Sequence, residues 1–142
     1  ELVVCGDFNE NPDEYLRVAR GYATALMPVE EALQDGGGYQ ARLLVASSLA
    51  LARPLGGEPV LYSPWADSGG YSYSYRGSRE RIDGFLVSPG LLDEAGLSYS
   101  SFGAVSAPFL VDSAGIPLAW PGSGATGYSD HLPVLLSLEL GN

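Results

Sequence analysis

The sequence predicts one α/β domain over residues 1–142, dominated by strands. Three observations carry that expectation. The apolar run Leu2–Cys5 ends abruptly in the polar turn Gly6-Asp7-Phe8-Asn9, Tyr71–Tyr75 alternates with period two, and the chain closes on the apolar run Leu132–Leu140. Continuous apolar runs suit strands covered on both faces, and strict alternation suits a strand with one face buried. Between these stretches lies only one long helical pattern.

That helix is expected from Asp13 to about Leu26, with apolar residues at Tyr15, Leu16, Ala19, Ala23 and Leu26. Asn11 offers a cap, Pro12 suits a first turn, and Asp13 and Glu14 face the positive helix end. Pro28 limits it, and Val29–Leu33 adds a further turn. Gly36-Gly37-Gly38 reads as a loop. Residues 42–52 fit helix or strand equally well, and 54–70, rich in glycine and proline, read as loop. Tyr71–Arg76 is expected to turn at Gly77-Ser78 and return as a strand over Arg81–Ser88. A helical turn at Leu91-Leu92 follows, then a strand over Phe102–Val111 interrupted at Pro108. Ser113-Ala114-Gly115 turns into Ile116–Trp120, and a Gly/Ser loop over Pro121–Gly127 precedes the closing strand.

Composition narrows the function classes. Seven basic residues stand against 17 acidic ones, a formal net charge of -10. Non-specific nucleic-acid binding rests on Lys and Arg neutralising phosphates, so this balance disfavours avid nucleic-acid binding without excluding nucleic acid as a substrate. No apolar run reaches the ~18–20 residues of a membrane helix. The single cysteine, Cys5, sits in an apolar run and is expected in the core. The chain opens on Glu1-Leu2-Val3-Val4-Cys5 as if a strand were already under way, which suggests a segment cut from something longer.

Three clusters couple polar groups to strand ends. Asp7 and Asn9, one residue apart, project to the same side of an extended backbone. They can orient a water or offer oxygens to a hard cation, or simply cap a turn. Asp83, in Arg81-Ile82-Asp83-Gly84-Phe85, sits in an otherwise apolar strand and needs a partner if buried. Ser129-Asp130-His131 enters the last strand and holds the sole histidine, the natural partner of Asp83. A carboxylate on one ring nitrogen fixes the tautomer and favours a ring able to bind a phosphoryl oxygen.

Taken in order, Gly6-Asp7-Phe8-Asn9, Ile82-Asp83 and Ser129-Asp130-His131, with Tyr75-Arg76-Gly77 before Ile82, resemble the endonuclease/exonuclease/phosphatase superfamily. The resemblance spans nearly the whole chain but only the second half of the family's domain. It implies half of a DNase I-like four-layer α/β sandwich, with a mixed, mainly antiparallel sheet and flanking helices. It implies Asp7 as general base, Asn9 positioning water or phosphate, Asp83 orienting His131, His131 on a phosphate oxygen, and Asp130 on a divalent metal. Mg²⁺ is favoured, with Mn²⁺ or Ca²⁺ as alternatives, because the implied ligands are oxygens. The implied activity is hydrolysis of a phosphodiester or phosphomonoester by activated water. DNA or RNA cleavage is the alternative within that class, and a noncatalytic binding module of the same fold is the alternative outside it.

The family's main metal-binding Glu and an Asn precede the matched segment, so the chain alone is expected to be inactive. Glu10 and Glu14 follow Asp7 too closely to replace that Glu. An apolar face meant for the other half is expected to favour docking with that half or self-association.

Overall fold

The computed structural model describes residues 1–19, 21–34, 41–93, 95–120 and 127–141. The expected loops at Gly36-Gly37-Gly38 and over 121–126 lie outside these residues. The architecture is mainly β. A mixed five-stranded sheet contains β1 (Val3–Asp7), β2 (Leu26–Pro28), β3 (Leu43–Ala46), β4 (Val60–Tyr62) and β7 (Asp83–Val87). Among the described residues two antiparallel pairs complete the strands, β5 (Tyr73–Tyr75) with β6 (Ser78–Glu80) and β8 (Leu97–Ala104) with β9 (Val134–Leu140). The helices described are short: α1 (Glu14–Arg17), α2 (Val29–Gln34) and three single 3₁₀ turns. None is long and apolar enough to cross a membrane. The expected α/β class therefore survives only as a mixed sheet with small helices.

The sheet order is β1-β7-β4-β3-β2. β2, β3 and β4 run parallel, whereas β7 lies antiparallel to both β4 and β1. Hence β1 points the same way as β4. The carboxyl ends of β1, β2, β3 and β4 and the amino end of β7 all meet at one edge. Both candidate sites described below lie on that edge.

Period-two alternation sorts the sheet's side chains between two apolar clusters. Met27, Leu44, Ala46, Val60, Tyr62 and Val87 share one cluster with Tyr15 and Val29, and Leu97, Tyr99 and Leu136 of the β8–β9 pair pack against it. Leu26, Val45, Leu61 and Leu86 form the other, supported by Val4 and Phe8. Tyr99 meets Tyr62 edge-on at 6.1 Å, and Phe102 meets Trp65 at 4.8 Å. The β8–β9 pair is thus anchored by aromatic contacts to the central sheet.

Several expectations change. The helix predicted to Leu26 stops at Arg17, and Leu26 instead begins β2. Ala19 takes a positive φ of 47°, and the Gly21 N–H closes back on the Val18 carbonyl at 2.7 Å. The Glu10 carboxylate then accepts the N–H groups of Ala25 and Leu26 at 2.9 Å and directs the chain into the sheet. Pairing with β3 outweighs a helical pattern that carried a glycine in its middle. Residues 42–52 resolve as β3 followed by a 3₁₀ turn over Leu49–Leu51. The region read as loop contains β4, a fully buried three-residue strand hidden between Pro59 and Pro64. β8 begins at Leu97 rather than Phe102 and ends before Pro108, which has no N–H to give.

The expected return strand over Arg81–Ser88 is split. β6 ends at Glu80, and β7 restarts at Asp83 in the other sheet. At the crossing two side chains stand in for strand partners: Asn11 Oδ1 accepts the Arg81 N–H at 2.8 Å, and Ser72 Oγ accepts the Asp83 N–H at 3.0 Å. Arg76 and Gly77, with φ of 49° and 86°, make the tight hairpin turn between β5 and β6. Cys5 is also corrected. It lies on the edge strand β1 and is exposed, because β1 is covered on only one side.

Asn11 is buried but does not cap α1 with its side chain. Its amide donates to Glu14 at 2.7 Å and Glu80 at 2.8 Å, tying the loop after β1 to the β5–β6 hairpin. Arg17 pairs with Glu80 in the same cluster. Hydrogen bonding from the Arg17 guanidinium, helped by the Ser78 hydroxyl and the Asn11 amide, pulls the Glu80 carboxyl down from the usual 4.5 to about 2. The folded form then holds its proton less tightly than the unfolded chain. The stabilisation is complete above pH about 4.5 and lost as pH falls towards about 2. Urea midpoints measured across that window should fall with pH, and Glu80→Gln should flatten the slope. An unchanged slope would contradict the assigned cluster.

Candidate active site

Antiparallel pairing sets the frame of the site. β1 and β7 are in register with Asp7 directly opposite Asp83, at the last residue of one strand and the first of the other. Asp83 is therefore at a strand end, not within a strand as the sequence suggested. Cross-strand partners share a face of the sheet, so the two carboxylates are neighbours. Directly opposed like charges repel, and a nearby cation or proton offsets them.

His131 supplies the facing group. Its Nδ1 lies 2.7 Å from Asp83 Oδ2. Donor atoms of Asp7, Asp83 and His131 all fall within 4.8 Å of one another. Asp7 is exposed, whereas Asp83 and His131 are half-buried, so the pair is sheltered and Asp7 faces solvent. The histidine is held by an isolated bridge between Tyr73 and His131, and the ring packs on Tyr73 at 4.6 Å. The Ser129 hydroxyl accepts the His131 N–H at 3.0 Å and fixes the turn into β9.

One organising residue has no counterpart among the sequence candidates. Ser72 is fully buried, donates its N–H to Glu80, accepts the Leu132 N–H on its carbonyl and the Asp83 N–H on its hydroxyl. It thus fastens the backbone of Asp83 and the residue after His131 to a single point. Its only sequence signal was the inward-facing serine of Tyr71-Ser72-Tyr73, indistinguishable from its neighbour Ser74. Trp65 is the second such residue. Its indole N–H donates to the Asp83 carbonyl at 2.9 Å. Gly84 permits that approach, since a Cβ there would lie 3.1 Å from the indole nitrogen.

Asn9 and Asp130 are placed differently from the central three. β1 ends at Asp7, and Asn9 has a positive φ of 53°, so strand alternation no longer relates their side chains. The Asn9 N–H instead donates to Asp7 Oδ1 at 2.9 Å, which orients that carboxylate. Asp130 is exposed beside His131 and does not belong to the three-residue donor cluster. Glu10 and Glu14 are occupied elsewhere, on Ala25 and Leu26 and on Asn11 and Tyr22.

Comparison with protein-family models, curated proteins and solved structures returns no match.

The site's chemistry therefore rests on its own geometry. The donor set suits a hard cation in part. Asp7 and Asp83 offer carboxylate oxygens side by side, while His131 Nδ1 is already engaged with Asp83. Mg²⁺ binds well through one or two carboxylates when water and substrate phosphate fill the remaining positions.

Proposed function

We propose that the chain contributes the site of a metal-dependent phosphoesterase, hydrolysing a phosphodiester or phosphomonoester by activated water. The observation that carries this reading is the Asp83–His131 pair, at 2.7 Å, set directly beside the Asp7 carboxylate. The order and identity of the three motifs support it through their resemblance to the endonuclease/exonuclease/phosphatase superfamily. The DNase I-like sandwich belongs to the same proposal.

Asp7, exposed and oriented by the Asn9 N–H, takes the proton of the attacking water. Asp83 holds His131 by Nδ1, which leaves the other ring nitrogen to donate to a phosphoryl oxygen as its charge grows. Asn9, at the turn beside Asp7, positions the water or the phosphate. A divalent cation, Mg²⁺ in the first instance, would be held by Asp130, directly or through water, which leaves Asp7 free to act as base. It would neutralise charge on the phosphate. The family's upstream Glu and Asn fall outside these residues, so turnover is expected where a segment supplying them joins the chain. Exposed Leu2, Leu135 and Leu140 offer apolar surface for that segment or for self-association.

The experiment is hydrolysis of bis(p-nitrophenyl) phosphate and p-nitrophenyl phosphate with Mg²⁺ and with EDTA, for the 142-residue chain alone and joined to a segment that supplies the upstream Glu and Asn. Metal-dependent release by the joined form alone is the expected result. Silence from both would favour the noncatalytic binding module, and activity in the 142-residue chain would contradict the need for upstream groups. Net charge favours a non-nucleic phosphoester, and preferential cleavage of DNA or RNA over small esters would reverse that preference.

A further inference from the structure

The alternating tyrosines of residues 71–75 have different fates in the fold. Tyr71 is buried and donates its hydroxyl to the Gly115 carbonyl. Tyr73 and Tyr75 stay at the surface, two residues apart on β5 and so on one face of the hairpin. β6 pairs with one edge of Tyr73, opposite Glu80, and the bridge to His131 takes the other edge. Cross-strand partners share a face, so the imidazole stands beside the two tyrosine rings.

These groups form a continuous row that starts in the candidate active site. The His131 ring lies 4.6 Å from the Tyr73 ring. Tyr73 lies 6.3 Å from Tyr75, with the two planes within 8° of parallel. The Arg76 guanidinium sits over the Tyr75 ring at 5.1 Å and closes the row. Tyr75 is 53% exposed, so much of its ring remains for a ligand to cover. Arg79 and Arg81 give N–H groups to the carbonyls of Ala114 and Gly70, whereas the Arg76 guanidinium donates to no acceptor among the described residues. The row thus has a phosphoryl-binding imidazole at one end, aromatic surface in the middle and a cation with open donors at the other. Its complement is a phosphate ester with an aromatic body and a second anionic group.

We infer that the β5–β6 hairpin selects the substrate, taking a phosphoester whose aromatic substituent lies along Tyr73 and Tyr75 and whose distal anion meets Arg76. This inference rests on the hydrolytic reading for the place of the phosphate at His131, and it adds the shape and charge of what the phosphate carries. Tyr75 and Arg76 are specificity residues that touch neither the attacking water nor the cation.

Propyl phosphate, 2-naphthyl phosphate and 6-carboxy-2-naphthyl phosphate are titrated into the 142-residue chain with EDTA, and the ring resonances of Tyr73 and Tyr75 are followed. Saturable shifts are expected, about two- to tenfold tighter for the naphthyl than for the propyl ester. The added carboxylate should tighten binding about two- to threefold more. Tyr75→Thr keeps a strand-forming residue at an exposed position and should erase the naphthyl preference. Arg76→Gln, also at an exposed position, should erase the share of the carboxylate alone. In the chain joined to the upstream segment, with Mg²⁺, Tyr75→Thr should raise KM for 2-naphthyl phosphate and leave kcat nearly unchanged. The inference is overturned if no ester shifts the Tyr75 ring saturably, if propyl phosphate binds as tightly as the naphthyl esters, or if both variants bind like the parent. Binding in the expected pattern without naphthol release by the joined form would support the row and sink the hydrolytic reading. Naphthol release indifferent to Tyr75→Thr would do the reverse.

Discussion

In the chain joined to a segment that supplies the upstream groups, Asp83→Asn is expected to lower the rate of the proposed phosphoester hydrolysis by about 10²–10⁴-fold while leaving stability unchanged or slightly raised. Asp83 accepts from His131 Nδ1 at 2.7 Å, and a neutral amide can still accept there but holds the ring through a weaker hydrogen bond. The same substitution removes one of two carboxylates that face each other across β1 and β7. Relief of like-charge repulsion across a strand pair is worth a few tenths of a kcal/mol, roughly what the weakened hydrogen bond costs. A merely structural Asp83–His131 pair would behave otherwise, with the urea midpoint and the rate falling together. Rates and midpoints measured on one preparation, with His131→Gln as companion, separate the two roles.

Leu44→Ala is expected to cost about 2–5 kcal/mol in unfolding free energy. Leu44 is 1% exposed in the middle of the sheet, on β3 between β2 and β4, and packs among Met27, Val60 and Tyr62. Leu16→Ala provides the contrast. Leu16 is 52% exposed, so its loss should change stability by about 0.5 kcal/mol or less. Chemical denaturation of both variants measures the difference. Equal effects would contradict the short α1 and restore the longer helix, in which Leu16 belonged to a packed face.

The part of the fold that was legible in the sequence is the part written in side-chain period and turn chemistry. β1, β5 and β9 have long enough apolar or alternating runs, bounded by glycine or polar residues, to be read directly, whereas β6 reads as turn and its place goes to the strand that becomes β7. β2 and β4 were not legible. Each is three residues long, one inside a helical pattern and the other between prolines, and their identity comes from pairing with β3. Local propensity carries no record of such partners. The exposure of Cys5 follows from the edge position of β1, which is likewise set by topology.

The site was readable to a similar depth. Asp7, Asp83 and His131 stood out because polar groups interrupt apolar strands, and the structure brings those three together. The relation of Asn9 to Asp7 was drawn from strand alternation, which fails once the backbone turns at Asn9. Ser72 and Trp65 escaped notice because each acts through one backbone hydrogen bond to Asp83, and a buried serine or tryptophan carries no sequence mark of such a bond.

In the proposed reaction Asp7 directs water onto phosphorus. The most direct test is hydrolysis in ¹⁸O-labelled water with Mg²⁺, by the chain joined to a segment that supplies the upstream Glu and Asn, with the label followed into each product, for the parent and for Asp7→Asn. The expected result is ¹⁸O in the phosphate product and not in the alcohol, with formation slowed about 10²–10⁴-fold in the variant. Label in the alcohol, hydrolysis equally fast in Asp7→Asn, or no labelled product at all would contradict it.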